Sequence, residues 1–505
     1  MQDTAGTWLM TVLTKSALLI ALMQTAASLP VLFLGFFAGA TADIFDRRRL
    51  LIIWQSWMLA AVGLLAAITL SVGVMPWILL ALTFLMNIGS AMNNPAWSAV
   101  VPELVPRAEL PEAIAINSAG FNIARAVGPA LGGLLVGAFI SAMRGAGIVF
   151  LLNAISFVAV VIVLYGWKRT PPFKSALPAE RLSGSLHAGW RYVRHAPALQ
   201  AILVRTFLFA VMASAVWALL AVVAAHDLHR GAISYGILNG CIGIGAVLGA
   251  SMLPRVRQRF NGDQINMGAA LIFAATLAVM ATVHYTAILL LFLTGTGFAW
   301  TSTASTFNVS VQLSVPYWVQ ARALGIYQTV FWGGLALGSA LWGYLAEHSS
   351  TEKSLLASAA CMVLIIPLGR RYHLLRGTPP DLTPYRLNRP APQLAIEPHP
   401  EDGPVLITIE YRIRSEDSAA FTKAMHKVRL IRMRDGAIRW GIFRDTVNAE
   451  RFVETFVTES WLEFLRERER MTTADRATRD QAWSYHQGPP EPIVSYMIYA
   501  SESQK

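Results

Sequence analysis

The sequence predicts an α-helical membrane protein of two six-helix halves, followed by a small soluble α+β domain. Three observations carry that prediction. The chain is 55% hydrophobic and only 14% charged over 505 residues, too few charges to cover the surface of a soluble protein of that length. Its apolar residues fall in blocks of bilayer-spanning length. Two short glycine-and-arginine cassettes recur at one fixed spacing.

The blocks come first. Ser16 to Gly39, Leu51 to Val74, Trp77 to Met92, Ile148 to Trp167 and Thr286 to Ala299 contain almost no charge. A spanning helix needs roughly 20 such residues. Lipid obliges each span to satisfy its backbone internally, hence α-helices. Eleven spans follow: 16–40, 50–73, 76–98, 112–141, 146–167, 199–224, 233–254, 265–284, 286–311, 322–346 and 353–368. Gly6 to Thr14 is apolar but too short, and reads as the end of a twelfth, first helix whose front is missing. The basic start and small-residue cleavage site of a signal peptide are not seen. The predicted division is 1–167 and 199–372 for the two halves, with 168–198 as a cytoplasmic central loop. Cys241 and Cys361 lie inside apolar spans and pack as small hydrophobes, so no bridge, metal site or cofactor is expected.

The first cassette reads Gly35-Phe-Phe-Ala-Gly39-Ala40-Thr-Ala42-Asp43-Ile-Phe-Asp46-Arg47-Arg48-Arg49. Gly245, Gly249, Ala250, Arg257 and Arg259 match Gly35, Gly39, Ala40, Arg47 and Arg49 at an offset of 210. Asn308, Val315, Pro316 and Val319 then match Asn94, Val101, Pro102 and Val105 at an offset of 214. A repeat of that period in so apolar a chain indicates two homologous membrane halves, as in many secondary transporters.

Orientation follows from the basic residues of the short loops. With the N-terminus inside, the cytoplasmic connections hold Arg47, Arg48, Arg49, Arg107, the basic residues from Lys168 to Arg194, Arg255, Arg257, Arg259, Arg322, and Arg370, Arg371 and Arg376. The opposite connections hold only Lys15, Arg144, Arg230 and Lys353. Both termini are therefore expected on the cytoplasmic side of the plasma membrane. A basic rim against anionic lipid accounts for the net charge of +11, without a nucleic-acid partner.

In the loop after the second span, Gly39 to Asp43 followed by Arg47, Arg48 and Arg49 resembles the loop signature of the major facilitator superfamily. Gly35 and Gly39 permit close helix approach. Asp43, at a helix end beside a basic run, is placed to latch two helices on the cytoplasmic side; a plain stop-transfer charge cluster is the other reading. The second cassette has Leu253 where the first has Asp43. In the fifth predicted helix, Gly128-Pro129-Ala-Leu-Gly132-Gly133 resembles the antiporter motif of exporters in that superfamily. A proline kink and a bare glycine face serve gating or simple packing.

Arg125 sits in the same apolar helix. A charge at the bilayer centre costs about 3 kcal/mol unless it meets a wet cavity or the bundle interior. That marks Arg125 for substrate or coupling. Arg205, nearer a helix end, either shares that role or snorkels to the interface. Proton coupling wants a buried carboxylate, and the clear spans contain none. Asp3 is the one candidate, buried by a longer first helix or solvated at the terminus. Asn94, Asn122, Asn308 and Gln328, with Asn87, Asn93, Asn117, Asn239, Trp217, Trp300 and Trp332, offer hydrogen bonds and stacking to a bulky ligand, or bonds between helices.

A proline-rich linker, 373–404, leads to a soluble domain at 405–505. Val405 to Ile413 alternates as a strand, and Ser415 to Met433 has helical spacing with Ser415 as N-cap. Trp440 to Phe443 and Arg451 to Val457 read as strands, Ser460 to Gln481 as one helix, and Ile493 to Tyr499 as a last strand. That β-α-β-β-α-β order is ferredoxin-like. The domain resembles the monooxygenase-like, dimeric α/β-barrel group, which implies self-association into a homodimer. His426 and His486 form no catalytic or metal constellation, so no catalytic residue is assigned.

The spans, cassettes, antiporter-like helix and tail together resemble the enterobactin-exporter-like, or transmembrane secretion effector, branch of the superfamily. The resemblance implies a non-enzymatic transporter in the lipid bilayer, exporting a small molecule by alternating access with the proton as coupling ion. Two other readings stand beside it: a membrane-anchored sensor or scaffold, and a membrane-tethered monooxygenase-like enzyme acting through the tail.

Overall fold

The structure, a computed structural model, describes residues 1–104, 109–167, 182–228, 231–283, 285–367, 369, 374, 381–383, 385, 398–489 and 492–500; the side chains at 36, 39–40, 42–44, 98–99, 101–104, 110–119, 121–122, 182–188 and 227 lie outside that description. The first half comprises α1 (Gln2–Leu13), α2 (Ala17–Ile44), α3 (Arg47–Ser71), α4 (Pro76–Leu104), α5 (Leu110–Gly137) and α6 (Ala142–Gly166). The second comprises α8 (Pro197–Val222), which ends in a π-helical turn, α9 (Ala232–Arg259), α10 (Gly262–Thr282), α11 (Thr286–Ser314), α12 (Tyr317–His348) and α13 (Thr351–Leu364). Among the described residues, eight helices are long and apolar enough to cross a membrane.

Polar residues at the helix ends set the boundaries. Ser16 caps α2 through the Leu19 amide, Asp46 caps α3 through the Arg49 amide, and Asn261 with Gln264 forms a reciprocal capping box on α10. Within the second half, buried hydroxyls and an indole satisfy one another across helices. Trp342 Nε1 donates to the Val211 carbonyl at 2.7 Å, Ser354 Oγ to the Trp342 carbonyl at 2.7 Å, and Thr296 Oγ1 to Thr276 Oγ1 at 2.8 Å.

The stretch expected as a plain central loop contains a helix, α7 (Leu182–His195). Its Trp190, Tyr192 and Val193 are too few to register as a span, and their partners are distant in sequence. The chain divides into two compact units. One holds 1–177, 202–310 and 325–374; the other holds 178–201, 311–324 and 375–505, so the tail shares a unit with α7 and the α11–α12 connection.

The tail has β1 (Val405–Arg412), α14 (Ser418–Asp435), β2 (Ala437–Arg444), β3 (Arg451–Thr458), α15 (Trp461–Arg470), α16 (Thr473–Trp483) and β4 (Ile493–Ile498). The sheet order β2-β3-β1-β4 with antiparallel pairing is the ferredoxin-like arrangement. Two details differ from expectation. Ser415 opens a short 3-10 turn and does not cap the helix, which begins at Ser418. The expected helix from Ser460 to Gln481 is two helices, because Thr472 and Asp475 form a capping box that restarts the chain after Met471. Ile407, Ile409, Phe452 and Phe456 pack on Phe421, Met425 and Phe464. Glu454 faces inward among them, fully buried, and accepts from Tyr411 Oη at 2.9 Å, Trp440 Nε1 at 3.0 Å and Arg432 Nε at 3.3 Å. Three donors to one carboxylate offset the cost of burying it.

Candidate functional site

Two seams join the halves, and small residues line both. Along the first, α2 runs against α12. Thr25 Oγ1 donates to the Ala336 carbonyl at 3.0 Å and the Leu18 amide to Glu347 Oε2 at 3.3 Å. A Cβ placed on Gly343 would strike Ala21, and one on Gly333 would sit 2.6 Å from Leu32 Cδ1. Along the second, α5 runs against α9, with Gly133 and Gly236 touching backbone to backbone: a Cβ on either would lie 2.6–2.8 Å from the other's Cα. A Cβ on Gly243 would likewise meet the Ala126 backbone. Such contacts admit no side chain between the helices.

The Gly-Pro-x-x-Gly-Gly stretch divides its duties between two neighbours. Gly133 and the Pro129 carbonyl face α9, whereas Gly128 and Gly132 face the first residue of the chain; a Cβ on Gly132 would lie 2.8 Å from the Met1 carbonyl oxygen. Trp8 of α1 stacks on Tyr235 of α9 at 5.7 Å, which closes the corner between α1, α5 and α9.

In the first cassette, Gly35 meets only Val31 of its own helix at 3.3 Å and Thr329 Oγ1 of α12 at 3.9 Å, which places it on the first seam. Arg48 donates from Nε to the Leu164 carbonyl at 2.8 Å and from Nη2 to the Tyr165 carbonyl at 2.6 Å. It thus caps the last turn of α6, where a cation also meets the negative helix end. The side chains of Gly39 and Asp43 lie outside the described residues. Arg47 sits in the first turn of α3, and Arg49 there is exposed. In the second cassette, Gly245 and Gly249 lie against the α11 backbone at Thr294 and Phe298, Arg257 Nη2 donates to Ser305 Oγ at 2.9 Å, and Leu253 is buried.

Helix faces locate the candidate ligand residues. At about 100° per residue, the exposed Ile123, Val127, Leu131 and Leu134 form one apolar stripe on α5, suited to lipid. Arg125 lies on the opposite side of the helix, next to the Gly128 and Gly132 face; it is exposed and has no ion pair among the described residues. On α12, the exposed Leu337, Leu341 and Tyr344 form the lipid stripe, and Gln328 and Trp332 fall on the side away from it. Asp3 and Asn94 are exposed, and Asn308 is half-buried. The Asn122 and Asn117 side chains lie outside the described residues. Asn87 and Asn239 donate to carbonyls of their own helices, and Asn93 accepts from Gln55. Trp217, Trp300, Phe331 and Trp332 make a continuous aromatic wall from α8 through α11 to α12, with centroids 4.5–5.8 Å apart.

Arg205 has a carboxylate partner that the sequence reading did not supply. It is buried and ion-paired with Asp263 in the first turn of α10, and Asp263 also accepts from the Leu374 amide at 3.3 Å. Asp263 precedes the predicted apolar span of its helix by two residues, which hides it from a reading based on the spans. The pair lines a cavity of about 380 Å³ with Asn266, Phe209 and Met267, inside the second half and away from both seams.

The family model of transmembrane secretion effectors matches residues 1–505. The multidrug efflux pump Tap of Mycolicibacterium fortuitum is 25% identical over 369 residues, covering 71% of this chain and 88% of that protein. The staphyloferrin A transporter of Staphylococcus aureus is 30% identical over a shorter stretch of 159 residues, 31% of this chain and 39% of that protein. A solved D-xylose-proton symporter shares the fold at a TM-score of 0.58 and 14% identity, covering 73% of this chain and 94% of the other.

Proposed function

Because the chain belongs to the transmembrane secretion effector family of the major facilitator superfamily, we propose that it exports a siderophore-like or drug-like small molecule by alternating access, driven by the proton gradient. It is a multi-pass membrane transporter and not an enzyme. The observation that carries the mechanism is the pair of glycine-lined seams. Helices in backbone contact along the α5–α9 seam, and separated by little more than small residues and Leu32 along the α2–α12 seam, rock against each other with few side chains to extract. The export direction rests on the multidrug efflux relative, and on the antiporter-like face at Gly128 to Gly133. The proton carriers available are Asp3 and the Arg205-paired Asp263, with both termini on the cytoplasmic side as the basic loops imply. A panel of siderophores and hydrophobic drugs in proteoliposomes, with an imposed pH gradient, tests the reading. Gradient-dependent efflux of at least one class is expected. Equal flux with and without the gradient would remove the proton, and no flux of any class would remove the substrate assignment.

Within this reading Asp43 latches α2 to the basic start of α3 in one access state. Asp43→Asn is expected to lower flux at least tenfold with normal membrane insertion. Wild-type flux in a normally inserted variant refutes the latch.

The tail also supports pairing of two copies. Its sheet face turned from the helices carries Leu406, Val453 and Val457, only partly buried, and the exposed Met497. The purified full chain is expected to be dimeric by native mass spectrometry and monomeric after Val457→Glu. A monomeric wild-type chain at micromolar concentration rejects the pairing.

A further inference from the structure

The tail's helical side meets two segments of the transporter's own chain, and the contact is built from charges and rings. Tyr192 of α7 and Trp318 of α12 stand edge to face, 5.7 Å apart, and Tyr192 is only 2% exposed. An arginine of the tail covers each ring. Arg434 Cζ lies 5.3 Å from the Tyr192 centroid and Arg470 Cζ 4.5 Å from the Trp318 centroid. Cation–π contacts of this kind strengthen when water is excluded.

Carboxylates fix both guanidiniums. Arg434 binds Asp435 at 2.8 Å and Asp475 at 2.6 Å, while Arg470 binds Glu463 at 2.6 Å and the Asp435 carbonyl at 2.5 Å. Glu463 takes a second arginine from outside the tail, Arg191 of α7, at 2.7 Å. Burial pushes the Glu463 carboxyl up, but Arg470 and Arg191 outweigh it and hold it below its usual range. Arg191, Arg434 and Arg470 balance Asp435, Asp475 and Glu463, so no net charge is buried. The backbones also approach closely: a Cβ on Gly189 of α7 would lie 3.2 Å from Arg322 Cβ, one turn beyond Trp318.

We propose that the end of α14 and both ends of α15, at Glu463 and Arg470, form a docking surface for this chain's own α7 and α12 start, and that the docked tail holds one access state. The consequence follows from connectivity. α7 lies in the segment joining the halves, and α12 continues from Trp318 into the residues that meet α2 along the first seam. Tying α7 to the first turn of α12 restrains one of the two helices whose relative tilt opens that seam. The tail is thus a brace on the transporter, and whatever loosens it shifts the access equilibrium. That consequence rests on the alternating-access reading, whereas the docking itself does not.

Hydrogen exchange on the full chain in lipid nanodiscs separates the two, and needs no substrate. The variants Trp318→Ala and Arg191→Ala lie outside the tail, so they leave its core intact; unchanged protection of β1 and β3 verifies this. The brace predicts at least tenfold faster exchange in α7 and in residues 317–324, together with altered protection along 18–35 and 329–347. Faster exchange confined to the dock would overturn the brace and leave a local contact. No change anywhere would show the dock unoccupied, and would overturn the whole proposal. A flux assay that fails for every substrate touches neither result.

Discussion

Gly245→Ala is expected to reduce the yield of folded, monodisperse protein at least tenfold, whereas Gly35→Ala, its counterpart in the first half, stays within twofold of wild type. Sequence makes the two positions equivalent; their neighbours do not. A methyl on Gly245 runs into the Thr294 carbonyl oxygen, with the Thr294 carbonyl carbon at 2.8 Å and the Phe298 nitrogen at 3.0 Å. Every one of those atoms is backbone, so no rotamer change relieves the clash. The contact is reciprocal, since Gly297 of α11 lies as closely against the Ile242 carbonyl of α9. Relief needs two long helices to part, and overpacking of even yielding cores costs about 1–3 kcal/mol. At Gly35 the nearest atoms are a valine methyl at 3.3 Å and a threonine hydroxyl at 3.9 Å, both able to give way. Size-exclusion profiles of fluorescently tagged variants in mild detergent measure the difference. Equal yields would mean that α9 and α11 are not in backbone contact.

That contrast marks where the sequence stops being informative. The spans were legible because lipid leaves so little choice of composition, and the predicted and observed helices differ by a few residues at their ends. The cassettes were legible as a repeat, but a repeat specifies a kind of helix and not its neighbours: Gly35 meets α12, Gly245 meets α11. Leu253 is plain in this light, since a position facing a packed interior takes a buried leucine where Asp43 stands in the first half. Glu454 was readable in principle. It alternates with Phe452 and Phe456 on the inward face of β3, and a strand period of two places it in the core. The Arg205–Asp263 pair and the dock around Trp318 were not readable. Their partners lie 58 to more than 100 residues apart, and no local period links an arginine to a distant ring.

Arg125→Ala is expected to abolish transport, at least a hundredfold in flux, while insertion and yield stay normal. The position decides this. Ile123, Val127, Leu131 and Leu134 take the lipid side of α5, Gly133 takes α9, and Arg125 falls opposite the lipid stripe beside the glycine face that meets α1. A guanidinium on that side is turned away from the apolar stripe, and a charge at membrane depth is tolerated toward the bundle interior or a water-filled cavity and not toward hydrocarbon. Because arginine stays protonated at any working pH, it does not carry the transported proton. Its remaining roles are to hold an anionic group of the cargo or to keep a carboxylate such as Asp3 ionised until a proton arrives. Lysine separates these. It preserves the charge and loses the planar fork, so a bidentate grip on a carboxylate or catecholate predicts a loss nearly as large as alanine's, and simple charge tuning predicts recovery. Accessibility settles the placement independently of cargo: Arg125→Cys should react with a membrane-impermeant thiol reagent from one side of the bilayer. A cysteine unreactive from both sides, together with wild-type flux in Arg125→Ala, would make this arginine a packing residue and remove it from the pathway.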